Sequence, residues 1–378
     1  MTADVVVIGA GVVGAACAYY LTRAGATVTV VDRGGVAGGT SGRGEGNLLV
    51  SDKTPGPELD LALHSLSLWS SLASTLDGAR FEYEPKGGLV VAATEAGLAG
   101  LRSLASAQRA AGVVVESDVD PQVYEPHLRD GLAGAAFYPQ DSQVQPMLAA
   151  AQLLRAARQA GAAVRLGETV TGLEPRPSGV SVRTSTGTIA AGAVVNAAGT
   201  WASGVAALAG VRVPVRPRRG FLLVTEPLPP VVRHKVYAAE YVSTVASSAG
   251  DRQTSAVVEG TRAGTILIGS SRERVGFDDS LPLPVLARLA AQAVDLFPFL
   301  GAVQALRAYH GFRPYSPDHL PIIGADPRVP WLLHACGHEG AGVGLAPATG
   351  EAIAALVSGA TAPIELHPFR PERFADDT

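Results

Sequence analysis

The sequence predicts an α/β chain: a Rossmann-type nucleotide-binding domain carrying an inserted, mostly antiparallel β-sheet domain of α+β character. Three observations predict it. Asp4-Val5-Val6-Val7-Ile8 reads as a buried strand, Gly9-Ala10-Gly11-Val12-Val13-Gly14 follows it without a gap, and residues 213–275 alternate strand patterns with Pro and Gly turns. Behind the glycines, Ala15 to Ala24 is apolar, Ala-rich and helical in pattern, and Thr27 to Val31 reads as a second strand ending in Asp32. In this order each glycine has a mechanical role. Gly9 makes the tight turn, Gly11 lets backbone N–H groups reach a pyrophosphate, and Gly14 lets the helix close on the sheet. The helix N-terminus adds partial positive charge under the phosphates. Asp32 stands where a carboxylate accepts both hydroxyls of an adenosine ribose and repels a 2′-phosphate. Together these features specify a dinucleotide, without saying which one.

Downstream, the βαβ pattern is interrupted. Residues 35–54 are rich in Gly and Ser, and Glu58 to Leu76 reads as an amphipathic helix. Gly87 to Ala92 is a strand entered through glycines, Gly97 to Ala111 is helical, and Leu148 to Ala160 is a helix ended by Gly161. Ala163 to Leu166 is a strand. Val180–Thr184 and Thr188–Ala190 bracket Ser185-Thr186-Gly187 as a hairpin, and Ala193 to Gly199 reads as a separate buried strand. Leu283 to Leu296 is helical, Trp331 to Ala335 a strand and Gly350 to Val357 a helix. This order assigns residues 1–80, 139–215 and 305–378 to a discontinuous nucleotide-binding domain, and 81–138 and 216–304 to the inserted, substrate-binding one.

Composition narrows the function classes. A chain of 378 residues is too long for one small core. A net charge of −4 without a long basic run argues against a nucleic-acid partner. Cys17 and Cys336 are too few for a disulfide framework or a zinc site, which predicts reduced thiols, no metal and a cytoplasmic protein. The strand that the fold needs begins at the first residues, so no cleaved leader is expected. No apolar stretch reaches the roughly 18 residues of a membrane span.

Four further segments could carry chemistry. Thr40-Ser41-Gly42-Arg43-Gly44-Glu45-Gly46-Asn47 gathers hydroxyls, backbone donors and an amide; it is either a second cofactor contact or a surface loop. Val195-Asn196-Ala197-Ala198-Gly199-Thr200-Trp201 ends a strand in small residues, which suits either close ligand approach or helix packing. Arg313 lies among aromatics and prolines in Gly311-Phe312-Arg313-Pro314-Tyr315, and serves either a bidentate grip on a carboxylate or an ion pair with Asp318. Gly337-His338-Glu339-Gly340-Ala341-Gly342-Val343-Gly344-Leu345 leads into the last helix and makes a second anion site. A second such site, far from the first, fits a flavin, whose reduced ring carries negative charge at its N1–C2 edge; nicotinamide has no such need. His338 either faces that ring or is a core histidine.

With these segments in order, the chain resembles the FAD-dependent amine and amino-acid oxidoreductases of the glycine oxidase, sarcosine oxidase and D-amino-acid oxidase superfamily, over essentially its whole length. Gly44-Glu45-Gly46-Asn47 with Val50-Ser51-Asp52-Lys53, and Gly337 to Gly342, look most like the β subunits of hydroxyproline dehydrogenases, opine oxidases and cyanide synthases. The resemblance implies an FAD site in which Gly9, Gly11, Val13 and Gly14 hold the pyrophosphate and Asp32 and Arg33 meet the adenosine ribose. It further implies that Ser41, Gly46 and Asn47 line the stretch toward the flavin, and that Val170 meets adenine through its backbone. Ala198, Gly199 and Trp201 would pack along the cofactor, with Gly340, Gly342, Val343, Gly344 and Leu345 beside the isoalloxazine. Arg313 corresponds to the arginine that binds a substrate carboxylate, His338 orients substrate or tunes the flavin, and Tyr241 is the candidate for an aromatic hydroxyl over the ring. The implied reaction is oxidation of the C–N bond of a small amino or imino acid (proline- or hydroxyproline-like, a D-amino acid or an N-alkyl glycine), with hydride passing to FAD N5 and an imine as product. The same resemblance implies an alternative, a flavoprotein subunit that hands electrons to an acceptor subunit and works only in that assembly. A plain NAD dehydrogenase would be colourless and would leave 337–350 without a role.

Overall fold

The computed structural model describes residues 2–239 and 253–377; Tyr241 lies outside them. The first sheet is built around a parallel core in the order Val329–Cys336, Gly187–Asn196, Thr2–Ile8, Val28–Asp32 and Ala163–Leu166. Ile322–Asp326 adds an antiparallel edge to Val329–Cys336. The antiparallel pair Val170–Pro175 and Val180–Thr184 extends the sheet from the start of Gly187–Asn196. Val5, Val6 and Val7 have no exposed surface, as a parallel strand covered on both faces requires. One covering layer is the helix Val12–Arg23, which packs against Pro146–Gln159 and Gly342–Ser358. Small residues permit the approach: a Cβ on Gly350 would lie 2.7 Å from the Ala16 backbone. The Ala richness of these helices is therefore a packing requirement.

The second sheet runs in the order Ala305–Tyr315, Arg216–Thr225, Ile266–Arg272, Gln253–Gly260, Lys235–Ala238, Gly88–Ala92, Gly134–Tyr138 and Glu116–Val119. Its pairs are antiparallel except Lys235–Ala238 with Gly88–Ala92, the parallel contact that joins the two sequence-distant blocks of this sheet. Leu283–Leu296 covers one face and buries Leu289 and Ala293 with Phe221, Val258 and Ile268. Among the described residues, no helix is long and apolar enough to cross a membrane.

Three elements depart from the sequence reading. Residues 305–315, grouped by sequence with the nucleotide-binding pieces, pair along Arg216–Thr225, so the change of sheet falls after Tyr315. The strands expected at 188–190 and 193–199 are one strand, Gly187–Asn196, because its first half pairs with Val180–Thr184 and both halves pair with Thr2–Ile8. The last helix begins at Gly342 instead of Gly350 and runs through Pro347. Proline removes the N–H that would reach the carbonyl four residues back and normally breaks a helix. Here Trp69 Nε1 donates to the orphaned Val343 O and to Gly344 O at 3.1 Å each, and Ser65 Oγ donates to Gly344 O at 2.6 Å. Side chains of the helix Pro57–Thr75 thus replace the missing backbone bonding.

Candidate active site

One cavity of about 630 Å³ opens at the carboxyl ends of four parallel strands, where Ile8, Asp32, Ala197 and Cys336 line it. Open α/β sheets bind ligands at this place. Gly9 has φ +117°, and a Cβ there would sit 2.3 Å from Ala197 O. A Cβ on Gly14 would sit 2.0 Å from Gly9 O, so Gly14 sets the closeness of helix and turn and does not line the cavity. Gly11, Val12 and Val13, the first turn of the helix Val12–Arg23, do line it. Asp32 accepts the Ala10 N–H through Oδ2 and the Gly34 N–H through Oδ1, 2.7 Å each. Both carboxylate oxygens keep a lone pair, and the turn is locked by the same acid that would receive the ribose.

The middle of the cavity is formed by the 40–47 segment. Ser41, Arg43, Gly44, Glu45, Gly46 and Asn47 line it, and Ser41 Oγ accepts the Val12 N–H at 3.0 Å. Val170, Ala198, Gly199 and Trp201 line it as well. Trp201 carries the Arg33 guanidinium 4.1 Å from its ring centroid on one contact and stacks on Phe277 at 5.6 Å on another. Phe277, itself half exposed, backs Trp201 from outside the cavity lining, a contact that the sequence reading missed.

The last helix brings a second N-terminus to the cavity through Gly340, Gly342 and Val343, whereas Gly344 and Leu345 face a neighbouring cavity of about 300 Å³. His338 lies between the two cavities and is fully buried. Burial alone holds its pKa down to about 3, so the imidazole is neutral at physiological pH. Thr349 Oγ1 donates to Leu345 O at 2.9 Å, so at the 3.0 Å contact with Thr349 the proton belongs to His338 Nε2. This bonding is what a core histidine makes, and His338 nevertheless lines the cavity. Glu339, at φ +46°, is held by Arg218 at 2.5 Å and by His319 at 2.9 Å. Burial raises the Glu339 carboxyl, but the His319 bond and the Arg218 and Arg272 charges outweigh it and keep the pKa below its ordinary value.

At the second sheet, Arg313 enters the cavity wall with Gly220, Leu222 and Gly311. Arg313 Nη1 donates to Ser271 O at 2.8 Å. A Cβ on Gly220 would stand 2.0 Å from that Nη1, and one on Gly340 would stand 3.6 Å from Nε. Two glycines therefore make the slot in which the guanidinium lies. Asp318 is occupied elsewhere, by Arg373 Nε at 2.6 Å, so it is not the arginine's partner. Glycines also let the 43–47 segment approach the sheet: a Cβ on Gly311 would meet Arg43 Cβ at 2.5 Å, and one on Gly269 would meet Glu45 Oε1 at 2.0 Å. Sequence reasoning gave Gly220, Leu222 and Glu45 no individual role: long-range strand pairing brings the first two to the cavity, and contacts with Asn47 and Lys235 seat Glu45 there.

These residues fit a flavin dinucleotide. Two helix N-termini, a ribose acid and a cavity of this size accommodate an elongated dianion, and the glycine cradles leave no room for side chains. Residues 4–356 match the family of DAO-type FAD-dependent oxidoreductases. The chain belongs to that family. FAD is therefore its cofactor, and the protein is an oxidoreductase. The family member hydrogen cyanide synthase subunit HcnC of Pseudomonas aeruginosa is 32% identical, covering 99% of this chain and 96% of HcnC. Glycine oxidase of Geobacillus kaustophilus is 30% identical over 97% of this chain and 96% of its own length. The crystal structure of glycine oxidase from that organism superposes with a TM-score of 0.89 at 29% identity, covering 98% of this chain and 99% of that one. L-proline dehydrogenase from P. horikoshii shares the fold, with a TM-score of 0.90 at 24% identity over 100% of this chain and 98% of that chain.

Proposed function

We propose that this DAO-family protein oxidises the C–N bond of a small amino or imino acid, with proline-like imino acids first among its substrates. The observation that carries the reading is Arg313: a guanidinium in a glycine-walled slot, on the wall of the cavity that two helix N-termini also line. Its Nη1 bond to Ser271 O fixes the plane of the group, which suits a bidentate hold on the substrate carboxylate. Bound FAD supplies the hydride acceptor, and the protein's own part is positioning and exclusion of water. Leu222 and the Gly220–Gly311 pair form an apolar, close-fitting wall over the reacting carbon. The neutral His338 holds the turn before the last helix, whose N-terminus favours an anionic cofactor. The likeness to glycine oxidase across nearly the full chain supports an amino-acid substrate.

A second reading is favoured by the likeness to HcnC, which is named as a subunit. In it the chain works within a heteromeric dehydrogenase and passes electrons to a partner. Oxygen uptake by the isolated protein supports the free-standing oxidase; turnover with an artificial dye but not with oxygen supports the subunit.

The test of the main reading is anaerobic addition of L- and D-proline, hydroxyprolines, sarcosine, glycine and D-alanine to the purified yellow protein. At least one is expected to bleach the flavin. A protein that dithionite bleaches but that no member of this panel does would contradict the assignment.

A further inference from the structure

Glu45 lines the same cavity wall as Arg313, and its side chain is only 8% exposed. Its two oxygens are treated differently. Oε2 accepts Asn47 Nδ2 at 2.7 Å and Lys235 Nζ at 3.4 Å. Lys235 itself lies closer to Glu259, at 2.8 Å, and also donates to Asn47 Oδ1. Asn47 and Lys235 therefore clamp Glu45 from one side. Oε1 lies against Gly269, where no side chain could fit, and no described group donates to it. A buried carboxylate oxygen without a donor is costly, and more so when charged. Such an oxygen, on a side chain oriented by two others, is built for a donor that arrives with a ligand.

We propose that Glu45 receives the substrate's ammonium, so that Glu45 and Arg313 grip the two poles of an α-amino or α-imino acid zwitterion. The inference rests on the amino-acid reading of this site and adds the class that the site selects. Placement supports it. Arg313 Nη1 is anchored at Ser271 and Glu45 Oε1 lies against Gly269, two positions on the one strand Ile266–Arg272. A ligand with a carboxylate and an amine on one carbon offers a charge-assisted hydrogen bond to each. A simple carboxylic acid satisfies only Arg313, and a simple amine only Glu45. The site therefore discriminates against both, because each leaves one buried pole unpaired.

The test uses the FAD-loaded wild type with Glu45→Gln and Glu45→Asp. Two quantities are read: the concentration of imino acid giving half-bleaching, and the dissociation constant of tetrahydro-2-furoate, the proline isostere with oxygen in place of nitrogen, from its perturbation of the flavin spectrum. Glu45→Gln is expected to raise the half-bleaching concentration about 30-fold, the equivalent of one charge-assisted bond. Its affinity for tetrahydro-2-furoate is expected to stay within about 2-fold of wild type, since that ligand brings no ammonium. Glu45→Asp keeps the charge and is expected to fall between the two for the imino acid. Should Glu45→Gln fail to hold FAD, Glu45→Asp decides by the same comparison. Equal losses for both ligands would make Glu45 a mere support for Arg313, and no loss for either would remove it from the site; each overturns the inference. A wild type that no amino or imino acid bleaches overturns the amino-acid reading itself, and that outcome is visible before any variant is made.

Discussion

The two ends of the cavity are made in different ways. At the nucleotide end, strand, turn, helix and acid are contiguous from Thr2 to Asp32, and the contacts on offer come chiefly from backbone N–H groups and one carboxylate. At the opposite end, Glu45, Gly220, Ser271 and Arg313 come from four segments spread over most of the chain, and side chains dominate. The first end depends on the absence of side chains and the second on their orientation. A close-packed cradle tolerates almost no change, whereas an oriented pair loses affinity by degrees.

The largest expected effect lies at the cradle. Gly9→Ala forces a side chain onto φ +117° and to within 2.3 Å of Ala197 O, a strain and overpacking cost of about 3 kcal/mol. A colourless protein with a lower denaturation midpoint is expected; a yellow protein of unchanged stability would remove the contrast between the ends. Gly220→Ala presses on Arg313 instead, through a Cβ 2.0 Å from Nη1. It is expected to keep FAD and raise KM by about 10-fold, since the guanidinium is displaced but present.

Two smaller effects concern the wall between the cavities. His338 has a folded pKa of about 3, below the ordinary histidine value, so the unfolded chain binds the extra proton between the two. Its contribution to stability is complete above about pH 6.5 and is lost as pH falls toward 3. Acidification from pH 7.5 to 5 is therefore expected to cost His338→Gln about 2 kcal/mol less than wild type, read from denaturation at each pH. Trp69→Phe removes the donor to the carbonyl that Pro347 orphans, and about 1 kcal/mol of stability is expected to go with it while FAD is retained.

The same contrast explains what could be read from the sequence. The dinucleotide fingerprint was legible because local order alone builds it, and Leu283–Leu296 emerged with the expected bounds because its apolar face is periodic. The helix through Pro347 was not legible, since the compensating donors are Trp69 and Ser65 on another helix. Nor was the joined strand Gly187–Asn196: between the two expected strands a Cβ on Gly192 would meet Asp4 O at 3.0 Å, so the glycine serves close strand pairing. Arg313 announced itself by its aromatic and proline neighbours. Glu45 sat inside a flagged segment but gained meaning only when Lys235 and Gly269 folded against it. Tyr241, the sequence candidate for a hydroxyl over the flavin, falls outside the described residues.

The separation of the two ends is tested most directly by Arg313→Ala, loaded with FAD and titrated anaerobically with the imino acid that bleaches the wild type. Flavin content and spectrum are expected to match the wild type, while the half-bleaching concentration rises about 100-fold, as loss of a buried charged hydrogen-bonding partner entails. A half-bleaching concentration equal to that of the wild type would show that the carboxylate is held elsewhere, and would contradict the assignment of this end of the cavity.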